Sequence, residues 1–401
     1  MHNTVKLSEN LTWVGVSDRR IPRFENIFPL TSGVNYNSYL ITDEKTCLLD
    51  TVDPDVSEQF IDNIEHALGG RQLDYLVINH MEPDHCGSIE RVAQLYPEVK
   101  LVGNKKTFTF LEQFYESDLS DRYILVKEGE ELQLGSHTLR FLMAPLVHWP
   151  EVMVTYDVEH KILFSADAFG NFGALNGNLY ADEVDFKKDW LDEARRYYIN
   201  IVGRHGRNVQ NLFKKLDTLE IDMICSLHGH IYRTPEDVSL MIEKYRTWSA
   251  FEPERSGVVL VYSTMYGNTE LVMNIMASKL AAKGIQDIQM YDVAQTDFSY
   301  IIPRCHQNSH IIFGIQNYNT TLYPTMDAFT RELLHTNFQN RKVGLVCNSS
   351  WGGRALKEFQ EYLASNKGLE EFTEPLNILS ALKPDQEALV DEFVDKLIAS
   401  M

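Results

Sequence analysis

Leu76-Val77-Ile78-Asn79-His80-Met81-Glu82-Pro83-Asp84-His85 is the stretch on which the reading of this chain turns. Leu76 to Ile78 has the composition of a buried strand. Its end delivers four metal-capable side chains, His80, Glu82, Asp84 and His85, within six positions. Two imidazoles and two carboxylates at a strand's mouth can hold more than one metal ion. Three later segments share the format of an apolar run followed by a ligand-type residue. They are Leu146-Val147-His148-Trp149, Phe164-Ser165-Ala166-Asp167 and Ile224-Cys225-Ser226-Leu227-His228-Gly229. Strand ends on one edge of a sandwich converge, so distant partners argue against a merely solvated turn at 80–85.

The shell of His80, Glu82, Asp84, His85, His148, Asp167 and His228 is too large for one tetrahedral zinc. It suits two metals roughly 3.5–4 Å apart that share a carboxylate, with Asp167 as the bridge. Each ion then has two imidazoles and one terminal carboxylate besides. Oxygen and imidazole donors without thiolate fit iron or manganese and leave zinc open. The chain has 13 histidines, and the others read as surface or core residues. His230 competes with His228, but His228 directly follows the apolar run. Cys86 reads as a buried small apolar residue rather than a soft ligand.

A length of 401 residues with 44% apolar composition predicts two globular domains. A formal net charge of −20 repels nucleic acid and anionic membrane surfaces. No apolar run reaches the ~18 residues of a membrane span, and the start lacks a signal-peptide pattern, so a cytoplasmic location is expected. The cysteine count of 5 is odd, with no Cys-x-x-Cys pair, which speaks against disulfides or an iron–sulfur site. Strands are expected at 39–41, 46–49, 75–78, 139–143, 152–156 and 162–164, and helices at 58–68, 88–95, 189–202 and 209–219. Hairpin-like strand pairs predict mixed sheets. Phe251-Glu252-Pro253-Glu254-Arg255-Ser256-Gly257 reads as a linker. Beyond it, strands at 258–262, 288–291, 311–313 and 343–346 alternate with helices, among them 268–282 and 386–399. That rhythm predicts a doubly wound parallel sheet.

The first of these later strands leads into Ser263-Thr264-Met265-Tyr266-Gly267-Asn268-Thr269 and then a helix. Neutral hydroxyls, a glycine and helix-opening N–H groups make an anion cradle. It contains no lysine, which argues against a nucleoside triphosphate and for a monophosphate. Asn317-Tyr318-Asn319-Thr320-Thr321 and Asn348-Ser349-Ser350-Trp351-Gly352-Gly353 follow two further strands, the first ending at Gly314 and the second at Val346. Tyr318 and Trp351 are candidates to flank a flavin ring, although Trp351 also reads as a core residue.

His80-x-Glu82-x-Asp84-His85 with His148, Asp167 and His228 resembles the metallo-β-lactamase-like domain of flavodiiron proteins. Zinc hydrolases of that superfamily carry histidine where this chain has Glu82, an anionic oxygen donor. The resemblance extends through Gly33-Val34-Asn35-Tyr36-Asn37-Ser38-Tyr39 and Ala194-Arg195-Arg196-Tyr197-Tyr198. It departs near Phe24-Glu25, where many relatives have a histidine close to the metals. The later loops resemble a flavodoxin domain carrying FMN, with Asn348-Ser349 where relatives often have glycine. The implied fold is a metallo-β-lactamase-like αββα sandwich over 1–253 and a flavodoxin-like parallel sheet over 254–401.

The resemblance implies that His80, Glu82 and His148 bind one iron and Asp84, His85 and His228 the other, bridged by Asp167. It implies a soluble oxidoreductase that reduces dioxygen to water, nitric oxide to nitrous oxide, or both, with electrons delivered through FMN. No cysteine-rich carrier domain follows, so a separate donor such as rubredoxin or a flavin reductase is expected. A head-to-tail homodimer, or a dimer of such dimers, is implied as well. Two rivals are a binuclear zinc hydrolase fused to a flavodoxin and a plain electron carrier with an N-terminal docking module. Glu82 speaks against the first and the complete ligand set against the second.

Overall fold

Tyr75–Val77, the strand that leads into the histidine-rich segment, pairs in parallel with Thr46–Leu49 on one side and Lys100–Gly103 on the other. These three belong to a seven-stranded sheet completed by Val5–Lys6, Leu11–Trp13, Tyr39–Thr42 and Tyr123–Leu125. The pairings from Val5–Lys6 through Thr46–Leu49 are antiparallel, so the sheet is mixed as expected. A second sheet holds, in order, Glu131–Gln133, Thr138–Met143, Met153–Asp157, Ile162–Phe164 and Met223–Cys225. It is antiparallel except for its last pair. The computed structural model describes residues 1–401, which form two compact units, Met1–Arg246 and Thr247–Met401.

The two sheets of the first unit face each other across one apolar layer. Leu11, Ile41, Leu49, Val77 and Val102 come from one sheet, and Leu139, Phe141, Met153, Phe164 and Cys225 from the other. Helices supply the outer layers. Ser57–Leu68 buries Phe60, Ile61, Ile64 and Leu68, and Gly206–Leu216 buries Val209, Leu212, Phe213 and Leu216, each at helical spacing. The result is an αββα sandwich.

The single helix expected over 189–202 is broken. Phe186–Asp189 and Leu191–Tyr197 are separate turns, and Tyr198–Val202 is a wide π-type turn. The interruption sits at Trp190, whose ψ of −24° at φ −129° is not helical. The wide turn allows two consecutive tyrosines, Tyr197 and Tyr198, to be fully buried together.

In the second unit the sheet order is Ile288–Asp292, Arg255–Tyr262, Asn308–Tyr318, Arg341–Ser349, then Leu369–Glu371 and Leu376–Leu379 beside the last. The main pairings are parallel. In chain order this is 2-1-3-4-5, the doubly wound flavodoxin-like arrangement, whose ligand crevice lies where the order reverses. Three expectations need correction. Arg255 to Gly257 open the first strand instead of belonging to a linker, because Arg255 pairs with Asn308 before a bulge. The strand expected to stop at Gly314 runs to Tyr318, since Asn317 and Tyr318 pair with Leu322 and Thr321 in a hairpin. The strand expected to stop at Val346 runs to Ser349, because Val346 to Ser349 pair with Leu376 to Leu379. Polar side chains hid these extensions, and the backbone ladder made them. No helix is long and apolar enough to cross a membrane.

Candidate metal centre and phosphate cradle

The segment after Tyr75–Val77 is held from below by Asp50. This carboxylate accepts from the N–H of Asn79 at 2.7 Å, of His80 at 3.2 Å and from Asn79 Nδ2 at 2.8 Å. Burial pushes Asp50 up to about 6, against the hydrogen bonds from Asn79. Pro83 then starts a single helical turn, Pro83–Cys86, with Glu82 as its cap and His85 N–H donating to Glu82 O at 2.9 Å. That turn separates Glu82 from Asp84 and His85, so the one segment contributes to two groups of ligands.

In the first group, His148 Nε2 lies 3.0 Å from both Glu82 Oε2 and Asp167 Oδ2. His80 Nε2 lies 3.3 Å from Glu82 Oε2 and 3.4 Å from Asp167 Oδ2. In the second group, His85 Nε2 is 3.4 Å from Asp84 Oδ2 and 3.1 Å from Asp167 Oδ1. His228 Nε2 is 3.3 Å from Asp84 Oδ2 and 2.9 Å from His85 Nε2. The two oxygens of Asp167 therefore face different groups. All seven side chains named from the sequence meet here; five residues are buried, and His148 and Asp84 are half-buried as whole residues, with the Asp84 oxygens turned inward.

The donor set fits a pair of cations. Asp84 Oδ1, Asp84 Oδ2 and Asp167 Oδ1 are buried without a hydrogen-bond partner. Burial alone would raise Glu82 and Asp167. Hydrogen bonds from His148 and His80 override it for Glu82, and the charges of His85 and His80 do so for Asp167, so both are held below the usual carboxylate range. Conversely, burial would lower His148, yet Asp167 and Glu82 push it up to about 9. Three clustered acids thus draw positive charge into a buried space where the only other charged partners are imidazoles. Metal ions answer that demand without protonating the nitrogens.

Outer contacts fix the rings. Glu151 Oε1 receives His80 Nδ1 at 2.8 Å and the N–H of Met81 at 2.9 Å. His228 Nδ1 donates to Asn35 O at 2.9 Å. Such partners set the tautomer and aim of a metal-binding imidazole. Asn37 Nδ2 ties down the 226–229 loop through Ser226 O and Gly229 O at 2.9 and 3.0 Å. In that loop Gly229 has φ +75°, and a Cβ there would stand 2.1 Å from Asn171 Oδ1. His230 is turned away, against Trp190 and Phe186, and burial holds it down at about 4. Phe24, Tyr36 and Tyr197 wall the His228 side with ring centroids 5.1, 5.8 and 5.5 Å away. Tyr197 O–H is buried without a partner. Glu25, at the tip of the hairpin that carries Phe24, is an exposed residue, yet lost hydration of its carboxyl and then the charge of Glu82 push it up to about 8. Glu151 was not legible beforehand; its acidic character two residues after Trp149 was the available signal.

The second unit carries the phosphate cradle. Ser263 and Thr269 are buried, and their hydroxyls have no partner. Gly267, at φ +87°, opens the helix Asn268–Ala282 and donates to Thr264 Oγ1 at 3.0 Å. Thr264, Met265, Tyr266, Asn268, Thr269, Asn317, Ser349, Ser350 and Trp351 line a hollow of about 110 Å³. Gln316, Asn348 and Ser380 line it too; the sequence reading named Asn348 only as a departure and passed over the other two. Ser263, Gly267, Tyr318, Asn319, Gly352 and Gly353 stand outside this lining, Ser263 and Gly267 being chain neighbours of lining residues. Asn317 Oδ1 also accepts from Ala355 N–H at 3.0 Å, at the first residue of the helix Ala355–Ala364. Trp351 is 65% exposed, so its core role is overturned and its face is free for a planar ring. Unpaired hydroxyls, a helix N-terminus and no cation in the lining fit the phosphate of FMN.

Residues 34–229 match the family model described as ODP family beta lactamase. A nitric oxide reductase of Moorella thermoacetica is 31% identical over 382 residues, covering 94% of this chain and 93% of that protein. The anaerobic nitric oxide reductase flavorubredoxin of Escherichia coli is 28% identical over 391 residues, 96% of this chain and 80% of its own length. Among solved structures, rubredoxin oxygen:oxidoreductase of Desulfovibrio gigas superposes with a TM-score of 0.92 at 24% identity, covering 99% and 98% of the two chains. The flavodiiron protein of Giardia intestinalis gives a TM-score of 0.89 at 23% identity, covering 100% and 98%. This αββα sandwich with a flavodoxin-like partner belongs to the flavodiiron protein family.

Two outcomes follow for the sites. Asp167→Ala should weaken binding of both metal ions, and Asp84→Asn of one, each by at least about tenfold. Metal per chain after dialysis, with unchanged far-UV circular dichroism, measures this; full retention in Asp167→Ala would remove it as a shared ligand. Ser263→Ala and Thr269→Val should each cost FMN binding about 1.5–3 kcal/mol, roughly ten- to a hundredfold in Kd. Quenching of flavin fluorescence by the apoprotein reads the change.

Proposed function

We propose that this oxidoreductase reduces dioxygen to water, nitric oxide to nitrous oxide, or both, with residues 1–253 holding two irons and residues 254–401 holding FMN. His80, Glu82 and His148 would hold one iron, Asp84, His85 and His228 the other, and Asp167 both. When bound, the iron pair supplies a redox-active binding place for a diatomic gas, and the flavin supplies stored electrons. The observation that carries this reading is the split of Asp167, Oδ2 within 3.0 Å of His148 and Oδ1 within 3.1 Å of His85.

The chain's own residues do the rest. Glu151 and the Asn35 carbonyl keep the Nε2 atoms of His80 and His228 aimed at the metal pocket. Phe24, Tyr36 and Tyr197 exclude water from its His228 side. Both reductions consume protons. Glu25, whose carboxyl is held above the usual range beside Glu82, and the unpartnered Tyr197 O–H are the candidate donors. Ser263, Thr269 and the Asn268–Ala282 N-terminus would hold the flavin phosphate, and Trp351 its ring.

A separate donor, such as rubredoxin or a flavin reductase, would deliver electrons to a cytoplasmic protein. The working assembly would be a head-to-tail homodimer, in which the flavin of one subunit serves the metals of its partner.

Fully reduced protein, assayed for iron, zinc and FMN, is mixed anaerobically with each gas. Consumption of at least one gas is expected. A zinc-loaded protein that consumes neither would favour a hydrolase. Asp167→Ala should leave flavin reduction intact and lower gas consumption by at least about a hundredfold. Mixing Ser263→Ala/Thr264→Ala with a His80→Ala variant should restore part of the activity across subunits. Failure to do so, with dimers exchanging, would assign electron transfer to a single chain.

A further inference from the structure

Strand Met153–Asp157 begins at the metal pocket and ends at a second cluster. Met153 N–H donates to Asn79 O at 3.1 Å. A rise of about 3.4 Å per residue puts Asp157 roughly 13 Å further along. There, Asp157 Oδ2 meets His137 Nδ1 at 2.5 Å and His160 Nδ1 at 3.2 Å. The two imidazoles stack with centroids 3.9 Å apart and 19° between planes. Side-chain exposure is 1% for His137 and 0% for Asp157, but 38% for His160. None of the three takes part in the flavodiiron site.

Both oxygens of Asp157 are engaged, Oδ2 by His137 Nδ1 and Oδ1 by His160 N–H at 3.5 Å and His160 Nδ1 at 3.3 Å. Asp157 is a fully buried carboxylate whose ion-pair partners are imidazoles, not lysine or arginine. His137 Nε2 is buried without a partner. The backbone around the three side chains is nonetheless fixed. His137 sits in the turn closed by Leu134 N–H to His137 O at 2.9 Å, and its own N–H donates to Asp43 Oδ2 at 3.1 Å. Asp157 and His160 belong to the next turn, where Val158 N–H donates to Thr138 O at 2.9 Å. The ligand-type atoms of all three residues lie within 4.8 Å of one another.

We propose that His137, Asp157 and His160 bind one divalent transition-metal ion, Zn²⁺ in the first instance. Two imidazole nitrogens and one carboxylate oxygen suit zinc, copper or nickel. A single carboxylate is too few oxygens for calcium or magnesium. Donors about 2.0–2.2 Å from a tetrahedral zinc stand roughly 3.3 Å apart. The His160–Asp157 separation of 3.2 Å already matches, the His137–Asp157 contact at 2.5 Å must open by less than about 1 Å, and exposed His160 must turn out of its stack on His137 so that both nitrogens aim at one ion. Solvent reaches the ion past exposed His160 and completes the shell. The ion clips the 134–137 and 157–161 turns together at one end of the second sheet.

Zn²⁺ is titrated calorimetrically into the iron- and FMN-loaded full chain, with metals counted after gel filtration. One zinc per chain should bind with the iron retained, and zinc-edge X-ray absorption should report two histidines. His160→Ala, at an exposed position, should keep the iron, the flavin and the thermal midpoint measured without zinc. It should weaken zinc binding at least about tenfold. Asp157→Asn should weaken it as well. The proposal is overturned if the loaded protein takes up no zinc, if zinc enters only as iron leaves, or if His160→Ala binds zinc as tightly as the parent.

Discussion

A single buried carboxylate, Asp167, organises the first unit. Its two oxygens answer two sets of imidazoles at 3.0–3.4 Å on one side and 3.1–3.8 Å on the other. Burying a carboxylate costs several kcal/mol unless charge of the opposite sign stands against it. Two more acids, Glu82 and Asp84, share the same space, so the cost rises and only cations relieve it. The fold supplies the rigidity this demands. Asp50 pins Asn79 and His80, Glu151 pins His80, and Asn37 pins the loop that carries His228. Strand ends from both sheets are thus committed to one cluster of ligands.

The second unit solves a different electrostatic problem by different means. It lines its hollow with hydroxyls and amides and places no lysine or arginine there. Backbone dipoles and neutral donors of this kind suit a phosphate. Ser263 and Thr269 leave their hydroxyls unpaired at full burial, a cost that a hydrogen-bonding ligand would relieve. Exposed Trp351 and Tyr266 next to this cradle follow the same logic, since a large aromatic surface left to water is unfavourable until something covers it.

Much of this was legible because chemistry-bearing residues followed apolar runs. The seven candidate ligands could be named because each lies at or just after the end of an apolar run, and their division between two ions came from the family resemblance. The helix over 268–282 was equally plain, with Gly267 before it and Gly284 after it. Strand ends in the second unit were not, because Asn317, Asn348 and Ser349 look like loop residues yet sit in ladders opposite Leu322, Ile378 and Leu379. The helix over 189–202 failed for another reason: apolar periodicity carries no sign of a π-type turn that buries Tyr197 and Tyr198 together.

The sequence by itself determined a mixed-sheet first half, a doubly wound second half and the candidate metal-seeking side chains, because those depend on local periodicity and on which residue ends each strand; the αββα arrangement came from the family resemblance. Tertiary structure decided how the carboxylates are shared. Only in three dimensions does Asp167 turn one oxygen to each set of imidazoles, does Glu151 reach His80 across 71 positions of chain, and does His230 turn away while His228 turns in. Distances between side chains far apart in sequence are set by the packing of two sheets, and no local pattern encodes them.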